Sequence, residues 1–364
     1  MYYTQTNEQL HRFTLPPEAE ALDILAEAEA AQAHFAPGVI DTDLALSSEL
    51  SYGTSQVYVK RTDRLPGDSF KYLSATNSVA QAQRNGGGAF VFPTAGSYGK
   101  AVGIAVDQFG GNGTGVVPVD TNPTIVGSMR EHGLKVIEAG ANFDESAAIA
   151  SRYAEEQGIT LMHPFASVAN VAATALLACQ VAEQEPAVTD VVLQFGGGSL
   201  TSGVTAALKL LLPNVRTHLV QVAGCSPVVD SMRSGSVCES RDPFLAKKSW
   251  HKSLGGVGVG KTHPFTLGLA SQYVDHVATI SSEDVYATRY DFGQVDGKTP
   301  SFAAAVGLSQ ARILARALYK RREVAFDAGI ELPAAKIVAF HTGGQADDYL
   351  PGYLAAMSER VKNR

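Results

Sequence analysis

Of 364 residues only three are cysteines, Cys179, Cys225 and Cys238, with no CxxC pair and no metal-ligand spacing. That excludes a disulfide scaffold or a cysteine zinc site, and it suits a reducing compartment. Nine histidines are scattered without an HExxH pair, so catalytic zinc is not expected either. Charge is sparse at 18% of residues, the net charge is −7, and no Lys/Arg block is long enough to track phosphates. Nucleic acid is thereby excluded as the main partner, and Lys320-Arg321-Arg322 reads as the solvated end of a helix. No apolar run approaches the roughly 20 residues of a membrane span. Met1-Tyr2-Tyr3-Thr4 opens without the basic and apolar regions of a secretory leader. The expectation is a cytosolic protein with no membrane contact.

What is present is 45% hydrophobic residues and 35 glycines, the composition of an ordinary globule. From Ala89 onward short β-branched runs alternate with helical periodicity. Strands are expected at 56–60, 89–92, 115–119, 135–137, 159–162, 188–195, 218–222, 274–280 and 336–340. Helices are expected at 16–35, 77–84, 99–109, 124–132, 143–157, 168–184, 200–211, 265–273, 282–290 and 301–321, with a loop-rich region at 224–263. Such alternation predicts an α/β fold with two mainly parallel, twisted sheets covered by helices. The smaller unit is expected at 76–167, between 1–75 and 168–364 of the larger one.

The chain is organised around Val191-Val-Leu-Gln-Phe-Gly-Gly-Gly-Ser-Leu200, an apolar run that meets three glycines and then a helix. Bare amides at a helix start suit a phosphate, although a plain strand-to-helix turn gives the same pattern. Pro93-Thr-Ala-Gly-Ser-Tyr-Gly-Lys100 is a second such turn, suited to a carboxylate, or to simple capping of the helix by Ser97. Ser69-Phe70-Lys71 places one lysine ahead of a helix whose Ala75, Val79 and Ala82 face inward. A partly desolvated lysine can act as a nucleophilic amine toward an aldehyde. Gly255-Gly-Val-Gly-Val-Gly-Lys261-Thr262 fits the GxxxxGK[ST] pattern of nucleotide-binding loops. Its surroundings instead suggest a loop at the mouth of a site.

Ser69-Phe-Lys71, Thr94-Ala-Gly-Ser-Tyr98, His163-Pro-Phe165, Gly196-Gly-Gly-Ser-Leu200 and Thr342-Gly-Gly-Gln345 together resemble the fold-type II pyridoxal-phosphate enzymes. Their order and spacing are most similar to the serine/threonine dehydratase branch, from about Asp41 to Tyr349. The resemblance implies pyridoxal 5′-phosphate held through a Schiff base on Lys71, next to Phe70. It implies a phosphate cradle of Gly196, Gly197, Gly198, Ser199 and Leu200, and Thr342 facing the pyridine nitrogen. Thr94, Ala95, Gly96, Ser97 and Tyr98 would receive the substrate carboxylate, with Ser97 near the phenolic oxygen. From its own place in a substrate-facing turn, the Tyr98 phenol is expected to assist proton transfer or to close over the substrate.

A hydroxyl at the pyridine nitrogen makes a weaker electron sink than a carboxylate, which favours loss of a group at Cβ. The expected reaction is therefore β-elimination on a small amino acid, in a homodimer. β-Replacement and racemisation share the same lysine and stay open, as do a nucleotide-binding protein using Lys261 and Thr262 and a non-catalytic amino-acid-binding protein. The family usually has Asn-His at Ser97-Tyr98, a fourth glycine at Ser199 and a Glu-containing motif near Lys298-Thr-Pro-Ser-Phe302. It also has acidic metal-site residues with no counterpart here. These departures point to a specialised substrate. His163 reads as a structural residue at a strand end, His341 as a packed histidine or one that reaches the cofactor beside Thr342, and Trp250 as a packing or lid residue.

Overall fold

The computed structural model describes residues 5–6, 10–86, 88–240 and 254–343; Trp250 and Gln345 lie outside the described residues. After β1 (Gln5–Thr6), the Ala/Glu-rich stretch forms two helices, α1 (Pro17–Glu20) and α2 (Ile24–Gln32). The single helix expected there is broken because the Asp23 side chain accepts the Ala26 amide and starts a new one. A hairpin follows, β2 (Leu44–Tyr52) and β3 (Ser55–Lys60), turning at Gly53 with φ of 56°. Leu44, Leu46, Leu50 and Tyr52 alternate along β2, but the polar run Ser47-Ser48-Glu49 interrupts the pattern where the register shifts, and this mostly half-exposed edge strand is held by its antiparallel ladder to β3.

From β3 the chain crosses through α3 (Lys71–Arg84) into β4 (Ala89–Pro93), α4 (Ser97–Phe109), β5 (Asn112–Val117), α5 (Pro123–Glu131), β6 (Lys135–Glu138), α6 (Phe143–Gln157) and β7 (Thr160–Leu161). These four strands form one parallel sheet in the order β6-β5-β4-β7. The chain returns through α7 (Val168–Gln184) to β8 (Asp190–Gln194), α8 (Ser199–Leu211), β9 (Arg216–Val222), α9 (Pro227–Ser234), α10 (Pro264–Tyr273), β10 (His276–Ile280), α11 (Ser282–Asp296), α12 (Phe302–Asp327) and β11 (Lys336–Phe340). Helix α9 falls within the expected loop region. Proline near its start and Gly235 in the left-handed conformation at its end delimit it.

The larger sheet runs β1-β10-β9-β8-β11-β3-β2, parallel except at its two edges. Its central strands are buried on both faces, with α2, α7 and α8 on one side and α12 on the other. From β8 the order steps outward to β9 and β10, whereas β11 inserts between β8 and β3. That reversal opens a crevice at the carboxyl ends of β8, β11 and β3, the usual place for a ligand in an open parallel sheet.

Candidate active site

Lys71 is the first residue of α3, rather than the last of a turn before a later helix start. Its amide donates to the Ser69 hydroxyl at 3.3 Å, and Ser69 pairs by an isolated bridge with Gly343, past the end of β11. Residues 66–68 reach this point through Gly67 and Asp68, both at positive φ (75° and 58°). Asp68 is held there by Lys298 and Lys100. A non-glycine residue in that region is costly and is retained only where its surroundings fix it. Burial lowers the pKa of the Lys71 amine to about 8. The amine lies 5.2 Å from the centroid of the Phe70 ring, and among the described residues no carboxylate pairs with it.

The turn after β8 carries Gly196 and Gly197 half-buried, then Gly198 at φ of 99° as the N-cap of α8, with no side chain capping it. The first amides of α8 therefore face outward without an internal acceptor. Side chains are excluded throughout. A Cβ on Gly197 would lie 2.2 Å from the Phe165 ring, and one on Gly198 would lie 2.3 Å from that of Phe195. Ser199 and Leu200 are buried, with the Ser199 carbonyl accepting from Thr174.

Gly256 joins the two halves of this arrangement. A Cβ on Gly256 would lie 3.1 Å from the Lys71 Nζ, and one on Gly196 would lie 1.8 Å from the Gly256 carbonyl oxygen. The amine and the glycine turn thus abut the same residue. This also accounts for part of the GxxxxGK[ST] stretch: Gly255–Val257 is a short 3-10 turn packed on the site. Lys261 points elsewhere, to Glu239 at 3.0 Å, and Lys261 and Thr262 precede the helix instead of opening it.

On the facing side Ser97 begins α4 and donates to the Ser69 hydroxyl at 3.4 Å, which brings this loop to the lysine segment. Ala95 is exposed and Gly96 half-buried at the cleft mouth. Ser97 does not cap α4. Thr94 does so instead, accepting from the amides of Gly96 and Gly99 at 3.3 and 3.2 Å. The expectation of a substrate-facing Tyr98 is corrected by its placement. Its ring is 2% exposed in the core of the smaller sheet, edge-on to Phe92, and its hydroxyl is enclosed. Burial, eased by the hydroxyl of Ser78, pushes its pKa well up, so the phenol is a poor proton carrier.

Thr342 stands at the end of β11, its backbone carbonyl accepting from Ser69 at 3.2 Å and its hydroxyl from the Gln194 amide at 2.7 Å. The site thus also includes Ser69, Gln194 and Gly256, to which the sequence reading assigns no contact of their own. The available signal is Gln194, a polar residue directly after the apolar run Val191-Val192-Leu193. His341 faces the other way, toward Asp63 and Phe292, and burial lowers its pKa to about 4. His163 accepts the amides of Phe165 and Ala166 through Nδ1. Burial, reinforced by His263, takes its pKa to about 4.

A buried amine with a lowered pKa beside a bare, unsubstituted turn at a helix start suits a flat aldehyde with an anionic tail, so these residues fit pyridoxal phosphate. Comparison with known proteins agrees: the profile of the pyridoxal-phosphate dependent enzymes matches residues 35–326. An L-threonine ammonia-lyase of Thermotoga maritima is 31% identical over 250 residues, 67% of this chain and 60% of that protein. A biosynthetic L-threonine dehydratase of Escherichia coli is 28% identical over 249 residues, 68% of this chain and 46% of that one. The chain thus spans about half to three fifths of the length of these relatives. Among solved structures, a processed threonine deaminase isoform 2 from Solanum lycopersicum superposes with a TM-score of 0.80 at 21% identity, covering 98% of this chain and 92% of that one. Maize serine racemase gives a TM-score of 0.75 at 19% identity, with 92% and 98% covered. The same fold carries both, and with the profile match over most of its length this chain belongs to the family of pyridoxal-phosphate dependent enzymes.

Proposed function

We propose that the protein is a lyase that removes a group from Cβ of a small amino acid and releases ammonia. The observation that carries this reading is the meeting of Lys71 and Gly196 on Gly256, which lets one cofactor touch both the amine and the glycine turn. Pyridoxal phosphate, when bound, supplies an electron sink next to the Cα of the substrate. Lys71 would hold the cofactor through its amine, and the same amine would take the proton from the substrate Cα. Its pKa near 8 leaves an appreciable fraction neutral at physiological pH. The turn Gly196–Ser199, with Leu200, holds the phosphate. Ser97 and the amides of 95–97 receive the substrate carboxylate, and Thr94 shapes that loop through its own bonds to Gly96 and Gly99.

Residues 76–167 close over the substrate against 1–75 and 168–364. The cytosolic homodimer expected from the resemblance belongs to the same proposal. Thr342 presents a hydroxyl and no carboxylate to the ring, which supports early departure of the β group over transamination.

Purified protein reconstituted with the cofactor is expected to be yellow and to release ammonia and a keto acid from at least one member of an amino-acid panel. Lys71→Ala should abolish both the colour and the turnover, while Lys261→Ala should leave them. Consumption of a thiol or amine co-substrate would assign β-replacement instead, and inversion without ammonia would assign racemisation. Nucleotide-dependent stabilisation lost in Lys261→Ala would assign nucleotide binding.

A further inference from the structure

We infer that Gln194 is a positioning residue for the cofactor ring, fixing the direction in which the Thr342 hydroxyl donates. The inference rests on the reading of Thr342 as the group at the pyridine nitrogen. Gln194 is the last residue of β8, 6% exposed, and its Nε2 donates to the Thr342 Oγ1 at 2.7 Å. A hydroxyl that accepts from an amide keeps its own proton for another acceptor. With the cofactor in the crevice, that acceptor would be an unprotonated ring nitrogen.

The direction depends on which end of the carboxamide faces Thr342, and the structure places Nε2 there. The Oε1 is enclosed, accepts no hydrogen bond among the described residues, and faces Gly307 of α12, where a Cβ would lie 2.4 Å away. A hydrogen of the Gly307 Cα therefore points at the oxygen, a weak but favourable contact. The reversed amide would press an NH2 group against that C–H and leave both donors idle. Any side chain at 307 would expel the carboxamide, so Gly307 belongs to the same device. His341 does not compete, because its ring lies with Asp63 and Phe292.

The test is made on holoenzyme reconstituted with cofactor labelled with nitrogen-15 in the ring. The native protein should show the nitrogen resonance of an unprotonated pyridine. Gln194→Glu, which offers an acceptor to the hydroxyl, should move it toward the protonated position, and Gln194→Leu should weaken cofactor binding about tenfold. A protonated nitrogen in the native enzyme, or a resonance unmoved in Gln194→Glu, would overturn the proposal. If Gln194→Glu does not fold, unchanged cofactor affinity in Gln194→Leu overturns it equally. Native protein that takes up no cofactor at all defeats the underlying reading and the inference together. Uptake with an insensitive nitrogen defeats the inference alone.

Discussion

Lys71 combines two demands that normally conflict, an amine that must be neutral to attack and a side chain that must stay in place. The structure meets both with no carboxylate paired to the amine among the described residues. Burial lowers the pKa to about 8, and the backbone of residue 71 is tied through Ser69 to the end of β11. In cofactor-free protein the rate of Lys71 labelling by a small aldehyde should therefore level off above pH 8. An ordinary lysine keeps rising toward its usual 10.4. Mass spectrometry of the labelled peptide reads the profile, and a midpoint near 10 would contradict the structure. Thr94 makes the opposite kind of contribution, since its hydroxyl serves the backbone. Replacing it with Val should cost about 1 kcal/mol in urea unfolding, the usual value of a lost helix cap. A variant as stable as the parent would remove Thr94 from that role.

At the level of elements, α8 sets the glycine turn and is itself set by α7. A Cβ on Gly203 would lie 2.3 Å from the Val171 carbonyl oxygen and from the Thr174 hydroxyl, so these helices meet at backbone distance. Gly203→Ala should lower stability by roughly 1–3 kcal/mol, as overpacking does, and should weaken cofactor binding by displacing the turn at the head of the helix. Thermal unfolding and a cofactor titration measure the two effects. Stability lost without any change in affinity would show that the turn is held from elsewhere. Helices such as α6 and α7 were legible in the sequence because an Asn or Ser cap and an apolar stripe coincide there. Edge strand β2 was not legible, because its stability lies in the ladder to β3 and not in its own interrupted pattern. The site was legible where glycine or lysine marked it. Tyr98 was misplaced for a physical reason: a residue at a helix start points toward the cleft or the core according to helix rotation, which local sequence does not reveal. Gly256 became visible only once the chain folded it against Lys71.

For the whole molecule, several histidines are kept uncharged inside the fold. Burial takes His163, His276 and His341 each to about 4. A histidine free in the unfolded chain binds its proton near pH 6.5, so between about 6.5 and 4 the unfolded state holds more protons and stability falls as the pH falls. For fully buried His341 the slope is up to about 1.4 kcal/mol per pH unit. Below pH 4 a second loss begins. Burial would raise the pKa of Asp190, but bonds from His218 and Arg216 overcome this and hold the carboxylate below its usual range, so protonating it breaks the cluster. Urea unfolding at pH 7, 5.5 and 4 should show a steady decline, and a flat profile would refute this account. The four strands β4 to β7 carry a wider implication. They form one uninterrupted stretch whose entry and exit, at Lys71 and near His163–Phe165, both border the glycine turn and the amine. On the proposed reading, exchange of such a cassette at its two joints would change which amino acid is admitted while the reacting groups stay unaltered. Chimaeras exchanging residues 72–162 with a relative should inherit the donor's preference and keep the recipient's colour.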